Sequence, residues 1–209
     1  MRIFTLLIAL LAITTSLYSQ ASFRQYYGEP YAYANEDGFS IEKMGDRSVL
    51  IGTRESRISR SEDIALWFFD PNTLELTDSI TIPAPDDQRL LDTYAGPDGG
   101  VLIIFEHSGV GIGNDLELIY FGPDGNQAWA QSITDEVPDL DFELIRDVAF
   151  KSSTELLLTF QTFGSGDELA SRILNFTAAD GLGDGFFFGA AGADDVWSIE
   201  YQPNGDILL

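Results

Sequence analysis

The sequence predicts an all-β chain of four-stranded antiparallel units repeating at about 53 residues, the arrangement of a β-propeller. Three observations carry this expectation. The part of the chain after the N-terminal segment matches itself in four places. Each repeat reads as strand, tight turn, strand, loop, strand, tight turn, strand. No stretch of it shows a helical apolar period, and 20 Gly and 8 Pro punctuate the chain too often for long helices.

The repeat is read from two sets of matches. Phe39-Ser40-Ile41-Glu42 through Val49-Leu50-Ile51 aligns with Leu91-Asp92-Thr93-Tyr94 through Val101-Leu102-Ile103. The same pattern returns at Arg146-Asp147-Val148-Ala149 through Leu156-Leu157-Leu158, and at Trp197-Ser198-Ile199-Glu200 through Ile207-Leu208-Leu209. Taking Val49, Val101, Leu156 and Ile207 as equivalent gives spacings of 52, 55 and 51. Between these segments, Asp63 to Pro71 aligns without a gap on Asp115 to Pro123, and Leu169 to Phe176 is a looser third copy.

The second repeat shows the reasons for each strand. Leu90 to Ala95 ends at Pro97-Asp98-Gly99-Gly100, where Pro fixes φ and Gly accepts a positive φ. Val101 to His107 is a nearly continuous apolar run, the mark of a strand covered on both faces. Gly109 to Asn114 connects to Leu116–Phe121, and Pro123-Asp124-Gly125-Asn126 turns the chain into Ala128 to Ile133. Such a meander cannot bury both faces alone, so copies stacked face to face are expected, in blades of about 37–82, 88–134, 142–189 and a partial 194–209. A β-sandwich is the alternative.

Residues 1–21 read as a secretory signal peptide. Arg2 precedes an apolar run from Ile3 to Leu17, broken by Thr5, Thr14, Thr15 and Ser16, with Ser19 and Ala21 as small residues before a cut at Ser22. A retained N-terminal anchor helix is the alternative. Residues 22–209 then form an exported chain placed outside the cell, on its surface or in the periplasm, with no membrane span. An exported domain of this size without Cys fits a bacterial style. At this period the chain holds roughly 3.6 repeats, whereas propellers close with about four to eight blades. It also stops in mid-strand at Leu209, so it reads as the N-terminal part of a longer propeller. Phe23 to Gly28 would supply an outer strand, and closure by oligomerisation is the alternative.

Composition excludes several functions. The chain has 34 Asp and Glu against 11 Lys and Arg, a formal net charge of -23. Nucleic acid and anionic membrane surfaces need clustered cations that it lacks. With one His and no Cys, disulfides, thiolate sites and zinc sites of ordinary composition are excluded. His107, aligned with Glu55 and Thr162, reads as a solvated or hydrogen-bonded residue. The pairs Asp86-Asp87, Asp139 with Asp141, and Asp194-Asp195 border inter-blade loops, where propeller glycosidases place their acids. In so acidic a chain such pairs arise without a catalytic role. Calcium takes hard oxygen ligands, and Asp180 and Asp184, with Asn114 and Asp115, stand in Gly-rich segments suited to it. Neither segment has EF-hand spacing, and solvated turn carboxylates are the plainer reading. The recurrent aromatics Trp67, Phe68, Phe69, Tyr120, Phe121 and Trp129 read as inter-blade packing.

The stretch Phe187-Phe188-Gly189-Ala190-Ala191-Gly192-Ala193-Asp194-Asp195-Val196-Trp197-Ser198-Ile199, with Pro203-Asn204-Gly205-Asp206-Ile207, resembles the bacterial SBBP-type β-propeller repeat. Asp115 to Trp129 is similar to the other half of that repeat. The first and third copies lack the Gly-Gly, and Ser152-Ser153-Thr154 replaces the Asp-Gly turn of the third. The resemblance implies a secreted or surface-exposed propeller module, and no reaction. The expected role is non-catalytic binding or display toward a protein or glycan ligand. The alternatives are a glycoside-acting enzyme using loop carboxylates and a Ca²⁺-stabilised adhesion module.

Overall fold

A computed structural model describes residues 33–56, 61–83, 86–108, 115–133, 145–163, 169–188, 196, 198–202 and 204–209. The first sheet comprises β1 (Tyr33–Met44), β2 (Arg47–Ser56), β3 (Glu62–Phe69) and β4 (Leu76–Ile82). The second comprises β5 (Asp87–Ala95), β6 (Val101–Ser108), β7 (Asp115–Phe121) and β8 (Gln127–Ile133). The third comprises β9 (Ile145–Ser152), β10 (Glu155–Phe163), β11 (Leu169–Thr177) and β12 (Gly181–Phe188). A hairpin of β13 (Glu200–Tyr201) and β14 (Ile207–Leu208) follows. In every sheet the strands pair antiparallel in chain order, and no helix occurs among the described residues. Residues 1–32, and with them the signal-peptide and outer-strand expectations, lie outside the described residues.

The sheets stack face to face, and alternation along each strand divides its side chains between two cores. Val101, Ile103 and Phe105 of β6 pack with Val49, Ile51, Leu66 and Phe68 of the first sheet. Leu102 and Ile104, one residue out of phase, pack with Leu156, Leu158 and Phe160 of the third. The continuous apolar run of β6 is thus covered on both sides, with Val101 through Ile104 all at 0 % exposure. A two-layer sandwich covers one face of each sheet; here the middle sheet has two covered faces. Burial on this scale contributes about 1.5–3 kcal/mol per large aliphatic side chain. Each sheet therefore has a forward face, toward the sheet that follows it in the chain, and a rear face. Within the described residues the stack does not close on itself.

The structure corrects one alignment. Val49 lies on a forward face but Val101 lies on a rear face, so the counterpart of Val49 is Leu102. The β1–β2 turn closes at Met44 opposite Arg47, around two residues, whereas the β5–β6 turn closes at Gly96, whose N–H donates to the Gly100 carbonyl, around three. The second turn is one residue longer. With a side-chain period of two, one residue exchanges the faces.

The first strand of each four-stranded sheet carries a β-bulge at the same place. The register breaks between Gly38 and Ser40 in β1, between Leu90 and Asp92 in β5, and opposite Thr159 and Phe160 in β9. The extra residues, Phe39, Leu91 and Arg146, keep the spacings of 52 and 55 read from the sequence. After two of these bulges an Asp carboxylate accepts the next N–H: Asp92 from Thr93 and Asp147 from Val148, each at 2.8 Å. The repeated bulge bends the first strand of each sheet alike.

The third sheet departs from the pattern at Thr159. It occupies the place of Ile51 and Ile104, is fully buried, and its hydroxyl has no hydrogen-bond partner. Thr159→Val removes that unmet hydroxyl at constant shape and is expected to stabilise the protein by about 1 kcal/mol, or ~2–4 °C in Tm. A thermal melt in which the variant unfolds earlier would contradict this assignment.

Candidate functional site at the turn end of the stack

In a four-stranded meander the first and last hairpin turns lie at the same end of the sheet, and bonds between neighbouring sheets bring these turns together here. Gly45 N–H donates to the Gly99 carbonyl at 2.9 Å, joining the β1–β2 and β5–β6 turns. Arg47 Nη2 donates to the Asp124 carbonyl in the β7–β8 turn at 2.7 Å, with its guanidinium 4.4 Å above the Phe68 ring. Trp129 Nε1 donates to the Ser153 carbonyl, and Gln131 Nε2 to that of Ala178. One end of the stack is therefore a continuous surface of tight turns.

Carboxylates close these turns locally. Asp70 Oδ1 accepts the Asn72 and Thr73 N–H groups at 2.8 and 2.9 Å, and these bonds hold its carboxyl below the usual carboxylate range. Asp124 accepts from both the backbone and the side-chain amide of Asn126, which lowers it likewise. Burial disfavours the charged form of Asp98, but hydrogen bonds from the Tyr120 hydroxyl and the Gly100 N–H outweigh it and bring it down. The Tyr120 hydroxyl is pushed above the ordinary phenol value by burial and by its bond to Asp98. Tyr94 is raised for the same reasons, through Asp92.

Lowered carboxylates have a defined sign in stability. A group whose folded-state pKa lies below its unfolded value contributes stability that is complete above the unfolded value and vanishes as pH falls through the folded one. Asp70, Asp98 and Asp124 all act in this sense. The protein is expected to lose stability progressively below about pH 4. Asp98→Asn is expected to make that loss shallower in urea melts across acid pH; an unchanged slope would remove Asp98 from this account.

Between the β1–β2 and β3–β4 turns of the first sheet lies a cleft of about 480 Å³, lined by Asp46, Arg47, Asp70, Pro71, Asn72, Thr77 and Asp78. Its lining carries three carboxylates against one guanidinium, and that guanidinium already serves the Asp124 carbonyl and the Phe68 ring. Such a lining suits hydroxyl-rich or cationic groups. The sequence pattern did not single out this cleft, because its residues come from two turns brought together by pairing of β2 with β3.

The residues suggested by the sequence fall elsewhere. Asp180 closes the β11–β12 turn: its Oδ2 accepts from Thr177 Oγ1 at 3.1 Å, and its N–H donates to that oxygen at 3.0 Å. Gly181 follows at φ 75°, a turn conformation natural to glycine. Asp184 lies on β12, where its carbonyl accepts from Asn175 Nδ2 at 2.6 Å. Asn114 lies outside the described residues, as does the side chain of Asp115. Among the described residues no three His, Asp or Glu side chains come together in a set able to hold a metal ion. His107, on β6, has its Nε2 3.8 Å from Glu117 Oε1 and its ring edge-on to Phe105. Asp87 Oδ1 accepts the Glu62 N–H at 3.0 Å, tying the start of the second sheet to β3 of the first. Asp139, Asp141, Asp194 and Asp195 lie outside the described residues.

The aromatic expectation divides. Phe68 and Phe121 lie between the first and second sheets, and Tyr120 lies between the second and third, stacked on Trp129 with ring centroids 5.6 Å apart. Trp67 and Phe69 instead occupy the rear face of the first sheet. No helix among the described residues is long and apolar enough to cross a membrane. The chain matches no protein-family model and no curated protein.

Proposed function

We propose that this chain belongs to an exported, acidic β-propeller of the SBBP-repeat type whose role is non-catalytic binding or display of a protein or glycan ligand at the cell surface. The observation that carries this reading is the division of labour between faces and ends. Both faces of the middle sheet are taken up in stacking, so the exposed ends of the stack are what it presents to a partner. At the turn end the carboxylates Asp70, Asp98 and Asp124 are engaged in closing turns, as suits a rigid presenting surface. The cleft at Asp46, Asn72 and Asp78 offers hydrogen-bonding groups for a hydroxyl-rich or cationic ligand.

The reading is tested by probing glycan and peptide arrays with the labelled protein, followed by a turnover assay on each glycan. Binding that falls about tenfold in the Asn72→Ala/Asp78→Ala double variant, without hydrolysis, is the expected result. Hydrolysis of any glycan that is lost on Asp194→Ala/Asp195→Ala would replace this function with an enzymatic one.

A further inference from the structure

The third sheet differs from the first two along its forward face. At one level of this face, pairing sets Phe68 beside Val49, Tyr120 beside Leu102 and Asn175 beside Leu157. At the next level stand Ile51, Ile104 and Thr159, and at the third Ile64, Leu116 and Ser171. An aromatic ring and two branched aliphatic side chains are thus replaced by an amide and two hydroxyls.

The six side chains of the first two sheets at these levels are at most 1 % exposed and lie within the two large cores. The three polar ones act differently. Asn175 is exposed, and its Nδ2 donates to the Asp184 carbonyl of its own sheet at 2.6 Å. Thr159 is buried with its hydroxyl unmet. Ser171 is buried, and its Oγ accepts the Val196 N–H at 2.8 Å. The next unit is held by this bond and by the Ile199 N–H, which donates to Asp147 Oδ2 at 2.8 Å. Among the described residues, the buried apolar cluster at this joint comprises Ala149, Leu157, Ile173 and Ile199.

We infer that the stack opens at its third joint: Val196 and the β13–β14 hairpin part from the third sheet while the first three sheets stay packed on one another. The polar face makes this the easiest separation for two reasons. Little apolar surface meets water, whereas parting the first or second joint exposes a large aromatic ring together with branched aliphatic side chains. The polar groups that part, Ser171 Oγ and the Asp147 carboxylate from the Val196 and Ile199 N–H groups, find water instead, and the Thr159 hydroxyl gains a partner that the closed joint denies it. Opening here therefore lies at the low end of the local free energies within the protein. It gives an otherwise rigid stack one movable element and uncovers a face of hydrogen-bond acceptors.

The test is native-state hydrogen exchange of the 209-residue chain, read at single amides by NMR. Val196 and Ile199 report on the third joint, and Ile64, whose N–H donates to Gln88 Oε1 at 2.6 Å, reports on the first. Relative to their intrinsic rates, Val196 and Ile199 are expected to exchange together and at least about 100-fold faster than Ile64, with little dependence on denaturant because little surface is exposed. Leu66→Ala, in the first joint, should speed exchange at Ile64 and leave Val196 and Ile199 unchanged. Thr159→Val should slow Val196 and Ile199 about fivefold. Equal protection of all three amides overturns the inference, as does equal acceleration of all three by Leu66→Ala, since the stack then opens only as a whole. Fast exchange at Val196 and Ile199 that Thr159→Val leaves unchanged overturns it too, because the hairpin then frays for reasons of its own and not because of the polar face.

Discussion

Leu102→Ala and Ile103→Ala are each expected to destabilise the protein by about 2–5 kcal/mol, although the two residues are adjacent in one strand. In a sheet with one solvated face, neighbours on a strand alternate between core and water, and one of the two truncations would be nearly neutral. Here Leu102 packs against the third sheet and Ile103 against the first, and both have no exposed surface. Each truncation leaves a cavity bounded by strands from two sheets, which hydrogen bonding within each sheet prevents from collapsing fully. Against a typical stability of about 5–15 kcal/mol, either loss is large. Chemical denaturation of the two variants checks this. A shift below about 0.5 kcal/mol for one of them would mean that β6 has a solvated face and that the stack is wrong.

Gly45→Ala is expected to cost about 2–5 kcal/mol, well above the ~1–2 kcal/mol expected for Gly205→Ala. Both glycines sit in hairpin turns at positive φ, 60° and 90°, where a side chain is strained by its own backbone. The difference lies in their neighbours. A Cβ on Gly205 meets nothing within 4 Å, whereas one on Gly45 falls 2.5 Å from the Pro123 carbonyl oxygen. That oxygen belongs to the second sheet and cannot withdraw as a flexible side-chain end can. Moving the turn away would stretch the 2.9 Å bond from Gly45 to Gly99, one of the ties between the two sheets. Equal effects of the two substitutions would mean that the turn contact carries no stability.

The turn end was legible in part. Pro-Asp-Gly and Asp-Gly segments located the hairpin turns because their chemistry is local: a short carboxylate accepts an N–H two residues on, and glycine accepts the positive φ, as at Asp98 and Gly99. Arg47 carried no such signal. Its partners, Phe68 and the Asp124 carbonyl, are brought to it by strand pairing and by stacking of the second sheet. The same holds for Thr93, whose contact with Ser40 and Glu42 spans one whole repeat.

The sequence by itself determined the four-stranded meander, the positions of its turns and the burial of β6 on both sides. These follow from turn chemistry and from the unbroken apolar run, which act within a few residues. The tertiary structure decided which face each residue occupies, because a turn longer by one residue exchanges the faces, as it does for Val49 and Val101. It also decided which polar groups tie the sheets together and which turns enclose the cleft beside Arg47. Those outcomes depend on contacts between residues a repeat apart, and their geometry is fixed only when one sheet packs on the next.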